Sequence, residues 1–221
     1  MGAGEIRTLA DGAGVAPGVS VLDLCCGIAG PGRFITRELG CTYLGVDYSS
    51  SAIEIARART DGLPCRFEVS RIPPLPRGPF DVVLLLETML AFPEKETLLE
   101  AVSRALTRGG RFAFTLEEGA PLTEEERRLM PDAETVWLIP LEEMLTRLER
   151  AGLRVRWRED VSRSHRAVAD ALINAFSADA QDIAAEIGRR ALDELVTAHR
   201  LWSDWLRTER VRKIAFVAER L

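Results

Sequence analysis

Short apolar runs alternate along this chain with stretches whose apolar positions recur every three or four residues, the pattern of strands separated by helices. Residues 20–26 form the first strand. The helix after it carries Phe34, Ile35 and Leu39 on one face until Gly40 stops it. Residues 42–46 are the second strand, ending at Asp47, and a helix over about 50–60 buries Ile53 and Ala56. Residues 65–69 make the third strand. A stiff loop holding Pro73, Pro74, Pro76 and Pro79 leads into the fourth, 80–87, whose run from Val82 through Leu86 is apolar on both faces. That pattern belongs to a central strand of a parallel sheet, covered by helices on both sides.

Pro93 opens the next helix, with Leu98, Leu99, Val102, Ala105 and Leu106 on its buried face and Gly109-Gly110 as its end. The fifth strand covers 111–116. A loop over about 117–140 follows, with a charged, solvated helix at 122–130 and Trp137 in a short extended run. Pro140 starts a helix that buries Leu141, Met144, Leu145 and Leu148, and Gly152 ends it before a sixth strand over 153–159. Residues 212–219 read as a seventh. The roughly fifty residues between the last two strands are helical, with one stripe at Val168, Leu172, Ala175 and Phe176 and another at Leu192, Leu195, Val196, His199 and Trp202. The sixth strand points toward the ligand crevice of such a sheet, so this insertion (161–210) emerges beside it and is expected to act as a lid; a dimerisation arm is the competing reading.

Within this order the stretch from Val21 to Arg33 stands out. An apolar strand containing Asp23 runs into a turn of small residues, and Pro31 opens a helix. Unpaired backbone N–H groups at such a turn make an anion-friendly cradle. A nicotinamide-binding turn reads G-x-G-x-x-G, whereas the small residues here fall at Gly27, Ala29, Gly30 and Gly32. The stretch resembles motif I of the Rossmann-like, class I S-adenosylmethionine (SAM) dependent methyltransferases. The nearest pattern is D-x-G-C-G-x-G-G-P-x-R of the small-molecule branch, including ubiquinone, tocopherol, sterol and glycine-betaine-type enzymes. Cys25 and Ala29 stand where that pattern prefers glycine.

The resemblance implies an α/β fold: a seven-stranded Rossmann-like sheet, strand seven antiparallel, with helices on both faces. It also implies a single domain over 1–221 with the helical insertion inside it, SAM as cofactor and S-adenosylhomocysteine as product. Asp23, Cys25, Gly27, Ile28, Ala29 and Gly30 would hold the methionine part of SAM. Asp47 would take the ribose hydroxyls, as an acid ending the second strand can, and Tyr48 would lie against the adenine. Ser70, where the family has Asp, and Arg71 would sit near the adenine amino group. Glu87, Thr88 and Met89, at the exit of the fourth strand, would lie beside the sulfonium and the acceptor.

Methyl transfer from a sulfonium needs donor and acceptor held in line, and a base only where the acceptor must lose a proton. Glu87 and His165 are the candidates for catalysis. Met89, Trp137 and His165 are the candidates for acceptor binding, and His199 on its apolar stripe reads as a packed core histidine. No metal-ligand spacing stands out, and no metal is expected. A non-methylating SAM-binding protein is the alternative.

Composition narrows the partners. The 221 residues carry a net charge of −5 with no basic patch, which disfavours nucleic acid, and no apolar segment has transmembrane length. Four cysteines without a C-x-x-C pair and an N-terminus without a signal-peptide pattern point to reduced thiols in a cytoplasmic protein. The expected partner is a small-molecule acceptor, as a monomer or a homodimer.

Overall fold

A computed structural model describes residues 1–60 and 62–221. Seven strands form one sheet in the order β3-β2-β1-β4-β5-β7-β6. They are β1 (Ser20–Leu24), β2 (Thr42–Asp47), β3 (Cys65–Val69), β4 (Phe80–Leu85), β5 (Leu106–Glu118), β6 (Leu153–Asp160) and β7 (Arg212–Arg220). Strands β1 to β5 run parallel, while β7 is antiparallel to both β5 and β6. This is the seven-stranded Rossmann-like arrangement expected from the sequence.

The pleat sorts the core into two layers. Leu22, Leu24, Val83, Leu85, Phe112, Phe114 and Phe216 face one side and pack on α4 (Lys95–Ala105) and α6 (Leu141–Arg150). Val21, Tyr43, Val82, Leu84, Ala113 and Val217 face the other and pack on α1 (Ala3–Gly12), α2 (Gly30–Leu39) and α3 (Ser50–Ala58). Successive residues of one strand alternate between the layers, as side chains with a period of two must. A third cluster joins the 118–140 connection, including α5 (Glu124–Leu129), to Trp205 and Val211. Between β6 and β7 stand α7 (Ser162–Ala178), α8 (Ala180–Ile187) and α9 (Arg189–Arg207).

Both ends of β5 differ from expectation. The fourth helix starts at Lys95 and ends at Ala105, so Leu106 is not on its face. Leu106 instead opens β5, paired with Phe80, and the register shifts before Val82 meets Arg111. The reason lies at Gly109 and Gly110. Gly109 is left-handed (φ 77), and a Cβ on Gly110 would lie 2.8 Å from Thr107 Oγ1. The glycines therefore make an irregular turn within the strand rather than a helix stop. Strand β5 also runs on through Glu117 and Glu118, where the sequence pattern predicts loop.

Tyr43 explains two other glycines. A Cβ on Gly32 would lie 2.1 Å from the Tyr43 ring, and one on Gly45 would lie 2.9 Å from it. The ring therefore fills a slot between helix α2 and strand β2. Gly32→Ala is expected to cost about 1–3 kcal/mol through overpacking. Gly4→Ala, in helix α1 with open space around it, should gain about 0.4–1 kcal/mol. Urea unfolding of the two variants checks both signs.

Candidate active site

The parallel strands end at one edge of the sheet, and the chemistry-bearing residues collect there. Three left-handed residues alternate in the turn after β1: Cys25 (φ 56), Gly27 (φ 52) and Ala29 (φ 56), the last being the N-cap of α2. For Cys25 and Ala29 this conformation costs about 1–2 kcal/mol each. Strain of this kind is kept where the surroundings overdetermine it, typically at functional sites. A Cβ on Gly27 or Gly30 would meet nothing within 4 Å, so the space above the turn is open.

Asp47 fixes this turn. Its Oδ2 accepts the Gly27 N–H and its Oδ1 the Ser49 N–H, both at 2.9 Å. Tyr48 beside it is exposed, with the Arg71 guanidinium 5.8 Å over its ring, and Ser70 N donates to the Asp47 carbonyl at 2.8 Å. Ile28 is exposed at the lip. At the β4 exit the Thr88 hydroxyl donates to the Leu86 carbonyl at 3.3 Å.

Asp23 lies beneath, 3% exposed, and its Oδ2 accepts the Tyr43 hydroxyl at 2.5 Å. Burial pushes its pKa up to about 7, against the Tyr43 hydrogen bond, which lowers it, and with the Asp47 charge raising it further. Tyr43 was not singled out in the sequence. Its signal there was a polar-tipped residue in an apolar strand, two residues before a glycine.

A second constellation forms at the exits of β4 and β5. Glu87 is left-handed (φ 63), and its N–H donates to Thr115 Oγ1 at 2.7 Å. Register pairs Glu117 of β5 with Lys213 of β7. The Lys213 ammonium, fully buried, donates to Glu87 Oε2 at 3.0 Å and to Glu117 Oε1. Burial would lower the Lys213 pKa, but the two carboxylates override it and raise it. Burial likewise opposes ionisation of Glu87, and Lys213 with His165 outweighs it and holds that carboxyl below its usual range.

His165, on α7, places Nδ1 3.5 Å from Glu87 Oε2. Burial, aided by Lys213, pushes its pKa down to about 4, so the ring is neutral at pH 7. Ser164 beside it donates to Glu5, which ties α7 to α1. Glu87, Glu117 and His165 bring potential ligand atoms within 4.8 Å of one another. They come from segments far apart in sequence, so no local spacing announced them. The Lys213 ammonium bonds both carboxylates and the Met1 ammonium lies 3.8 Å from Glu87 Oε1, so a metal ion there would face two cations already in place.

A cavity of about 320 Å³ opens over this group, with Leu90, Val168, Leu172, Ala198 and Trp202 among its walls. Two expected acceptor contacts lie elsewhere. Met89 is fully buried in the sheet core. Trp137 has its ring under the Arg127 guanidinium at 5.4 Å and its Nε1 bonded to the Glu134 carbonyl at 2.8 Å. His199 also borders the cavity, with Nδ1 2.7 Å from the Leu195 carbonyl and Phe176 edge-on to its ring.

With the order of strands, the cradle at β1 and the acid ending β2 in view, the chain can be compared with known proteins. Residues 21–110 match the family model described as a methyltransferase domain. Methyltransferase GfsG of Streptomyces halstedii is 30% identical over 175 residues, covering 73% of this chain and 62% of that protein. Sterol 24-C-methyltransferase ERG6B of Gibberella zeae is 26% identical over 170 residues, covering 70% of this chain and 44% of the other. The chain thus spans less than two thirds of these relatives. Among solved structures, the cyclopropane synthase MmaA2 of Mycobacterium tuberculosis superposes with a TM-score of 0.89 at 13% identity, over 98% of this chain and 83% of that one. No helix among the described residues is long and apolar enough to cross a membrane.

The raised pKa of Asp23 has a sign that can be tested. Between the usual carboxylate value of 3.8 and about 7, the folded chain holds a proton that the unfolded chain has released. Stability therefore falls as pH rises through this window, by up to about 1.4 kcal/mol per pH unit from this group. Asp23→Asn removes the dependence. Its stability relative to wild type should increase from pH 5 to pH 8 in urea unfolding, and a constant difference would place the Asp23 pKa near its ordinary value.

Proposed function

We propose that this chain is a SAM-dependent methyltransferase that transfers a methyl group to a small-molecule acceptor. The observation that carries the reading is the cradle after β1: three alternating left-handed residues, open space above Gly27 and Gly30, and Asp47 locked onto the turn. The residues fit the cofactor. Each Asp47 oxygen spends one lone pair on a backbone N–H and keeps capacity for a ribose hydroxyl. Tyr48, Ser70 and Arg71 border the adenine end. Cys25, Ile28, Ala29 and Gly30 line the methionine end with Asp23 beneath them, and Thr88 continues that wall toward Glu87. Bound SAM supplies an electrophilic methyl on a sulfonium and leaves as S-adenosylhomocysteine.

The chain's own work is placement and proton handling. The carboxylate beside Nδ1 favours the Nδ1–H tautomer of His165, which leaves the Nε2 lone pair free to accept a proton. Glu87 orients that ring, and Lys213 holds Glu87. Helices α7 and α9 wall the cavity, which supports reading 161–210 as a lid within one domain over 1–221. Sterol and GfsG-type relatives support a small acceptor, and four free cysteines suit a cytoplasmic setting.

Two experiments test this reading. Calorimetric titration with S-adenosylhomocysteine should give micromolar binding, and Asp47→Ala should weaken it by about 10- to 150-fold, the range of a charge-assisted hydrogen bond of about 1.5–3 kcal/mol. No binding by wild type would overturn the proposal. Once an acceptor is in hand, His165→Asn should lower kcat by about 10²- to 10⁴-fold with little change in S-adenosylhomocysteine affinity. A fall in cofactor affinity equal to the fall in kcat would assign His165 to binding instead.

A further inference from the structure

Lys95 is a buried cation that the site described above leaves unused. It is 2% exposed and stands at the first residue of helix α4. Each circumstance counts against a positive charge there. Burial strips it of water, and the N-terminal end of a helix carries a partial positive charge of its own. The Arg147 guanidinium of α6 adds a further repulsion. Glu143 of α6 and Glu117 of β5 pull the other way, but Glu117 already holds Lys213. Both hydrogen bonds of Lys95 go instead to backbone carbonyls, Phe92 at 2.7 Å and Trp137 at 2.6 Å. An apolar side chain would fill the position at lower cost, so what the ammonium adds is those two bonds.

The bonds join three segments at one peptide. Trp137 lies in the 118–140 connection, and its N–H donates to the Leu90 carbonyl at 2.9 Å while its carbonyl takes Lys95. Leu90 belongs to the short 3-10 turn Met89–Ala91 that follows β4, and Phe92 ends that turn. The Trp137 peptide is therefore gripped from both sides, by the turn and by the start of α4. Its ring is engaged elsewhere, with Arg127 and Glu134. Leu90 walls the 320 Å³ cavity, three residues after Glu87, and packs on the cluster that holds Leu138 and Trp205.

We propose that Lys95 is a positioning residue for the acceptor cavity: its ammonium clamps the Trp137 peptide onto the turn after β4, and that clamp sets where Leu90 stands as a wall. This deepens the methyltransferase reading and rests on it for what the cavity holds. Lys95 does not border the cavity and acts through Trp137 and Leu90. The clamp also responds to pH. The charges around it are Glu143 and Arg147 on α6, Glu117 on β5 with its partner Lys213 on β7, and Glu94 and Glu96 beside it on α4. Burial, aided by Arg147, pulls the Lys95 pKa down to about 8, against Glu117 and Glu143, which raise it. Below that value the ammonium makes charge-assisted bonds to both carbonyls. Above it the neutral amine makes ordinary ones, about half as strong, and the wall loosens.

The test reads both ends of the clamp in the full chain by nuclear magnetic resonance. Tryptophan labelled with carbon-13 at the carbonyl gives one resonance for each of the four tryptophans, and Trp137→Phe assigns the one that matters. Methyl-labelled leucine reports Leu90, assigned by Leu90→Met. In wild type the Trp137 carbonyl and Leu90 methyl resonances should move together with a common midpoint near pH 8. Lys95→Met should abolish both titrations and speed exchange of the Trp137 amide by about 10- to 150-fold, the range of a charge-assisted hydrogen bond. The Gly119 amide, bonded to the Ile139 carbonyl at 3.1 Å at the two ends of the same connection, should keep its rate, and S-adenosylhomocysteine affinity should be unchanged. A Leu90 resonance that stays still while Trp137 titrates would overturn the inference, as would titrations that survive in Lys95→Met or equal acceleration of Trp137 and Gly119. The wild-type titration needs no variant and decides the matter if Lys95→Met does not fold. The methyltransferase reading fails separately, if wild type does not bind S-adenosylhomocysteine.

Discussion

One buried ammonium organises the working end of this molecule. Lys213 enters the sheet on the antiparallel strand β7, opposite Glu117, and reaches across to Glu87 at the exit of β4. A lysine with no exposed surface would be intolerable alone, and two carboxylates in the same place would repel one another. Together they neutralise most of their mutual cost. The arrangement holds Glu87 in a left-handed backbone conformation and positions it beside His165. Burial, aided by the Lys213 charge, keeps that imidazole neutral. The polarity of the cavity floor thus follows from one side chain on the last strand.

The cradle after β1 is organised by a different and more local logic. Tyr43 slides between Gly32 and Gly45 and reaches Asp23, while Asp47 clasps Gly27 from above the end of β2. Two acids on neighbouring strands thereby fix one turn from beneath and from the side. The left-handed Cys25 and Ala29 are held in this frame, and their strain is spread over a well-packed surround rather than relieved by glycine.

How far the sequence could be read depends on how local each feature is. The strand-turn-helix from Val21 to Arg33, the acid at Asp47 and the two-sided apolar run of β4 all sit within a few residues of their own signals, and they were legible. The helix boundary at Leu106 was not, because an apolar residue after a helical stripe looks the same whether it continues the helix or starts a strand. Only the pairing with Phe80 decides it. The Glu87–Glu117–His165–Lys213 group escaped for a related reason. Its members come from four segments, and register alone makes neighbours of Glu117 and Lys213. Glu87 and His165 could be picked singly as chain-end residues near the mouth, but nothing in the sequence placed them 3.5 Å apart.

The antiparallel strand has one more effect. Because β7 pairs with β6, Asp160 lies opposite Ile214, and the fifty-residue helical excursion leaves and rejoins the sheet at almost the same point. To the sheet it is a hairpin loop, whatever its length, and the entropy of closing such a loop grows only slowly with the number of residues in it. The helices that wall the cavity can thus be lengthened, shortened or resequenced while the strand register and the cradle stay in place. In this architecture the choice of guest is separable from the machinery that serves it.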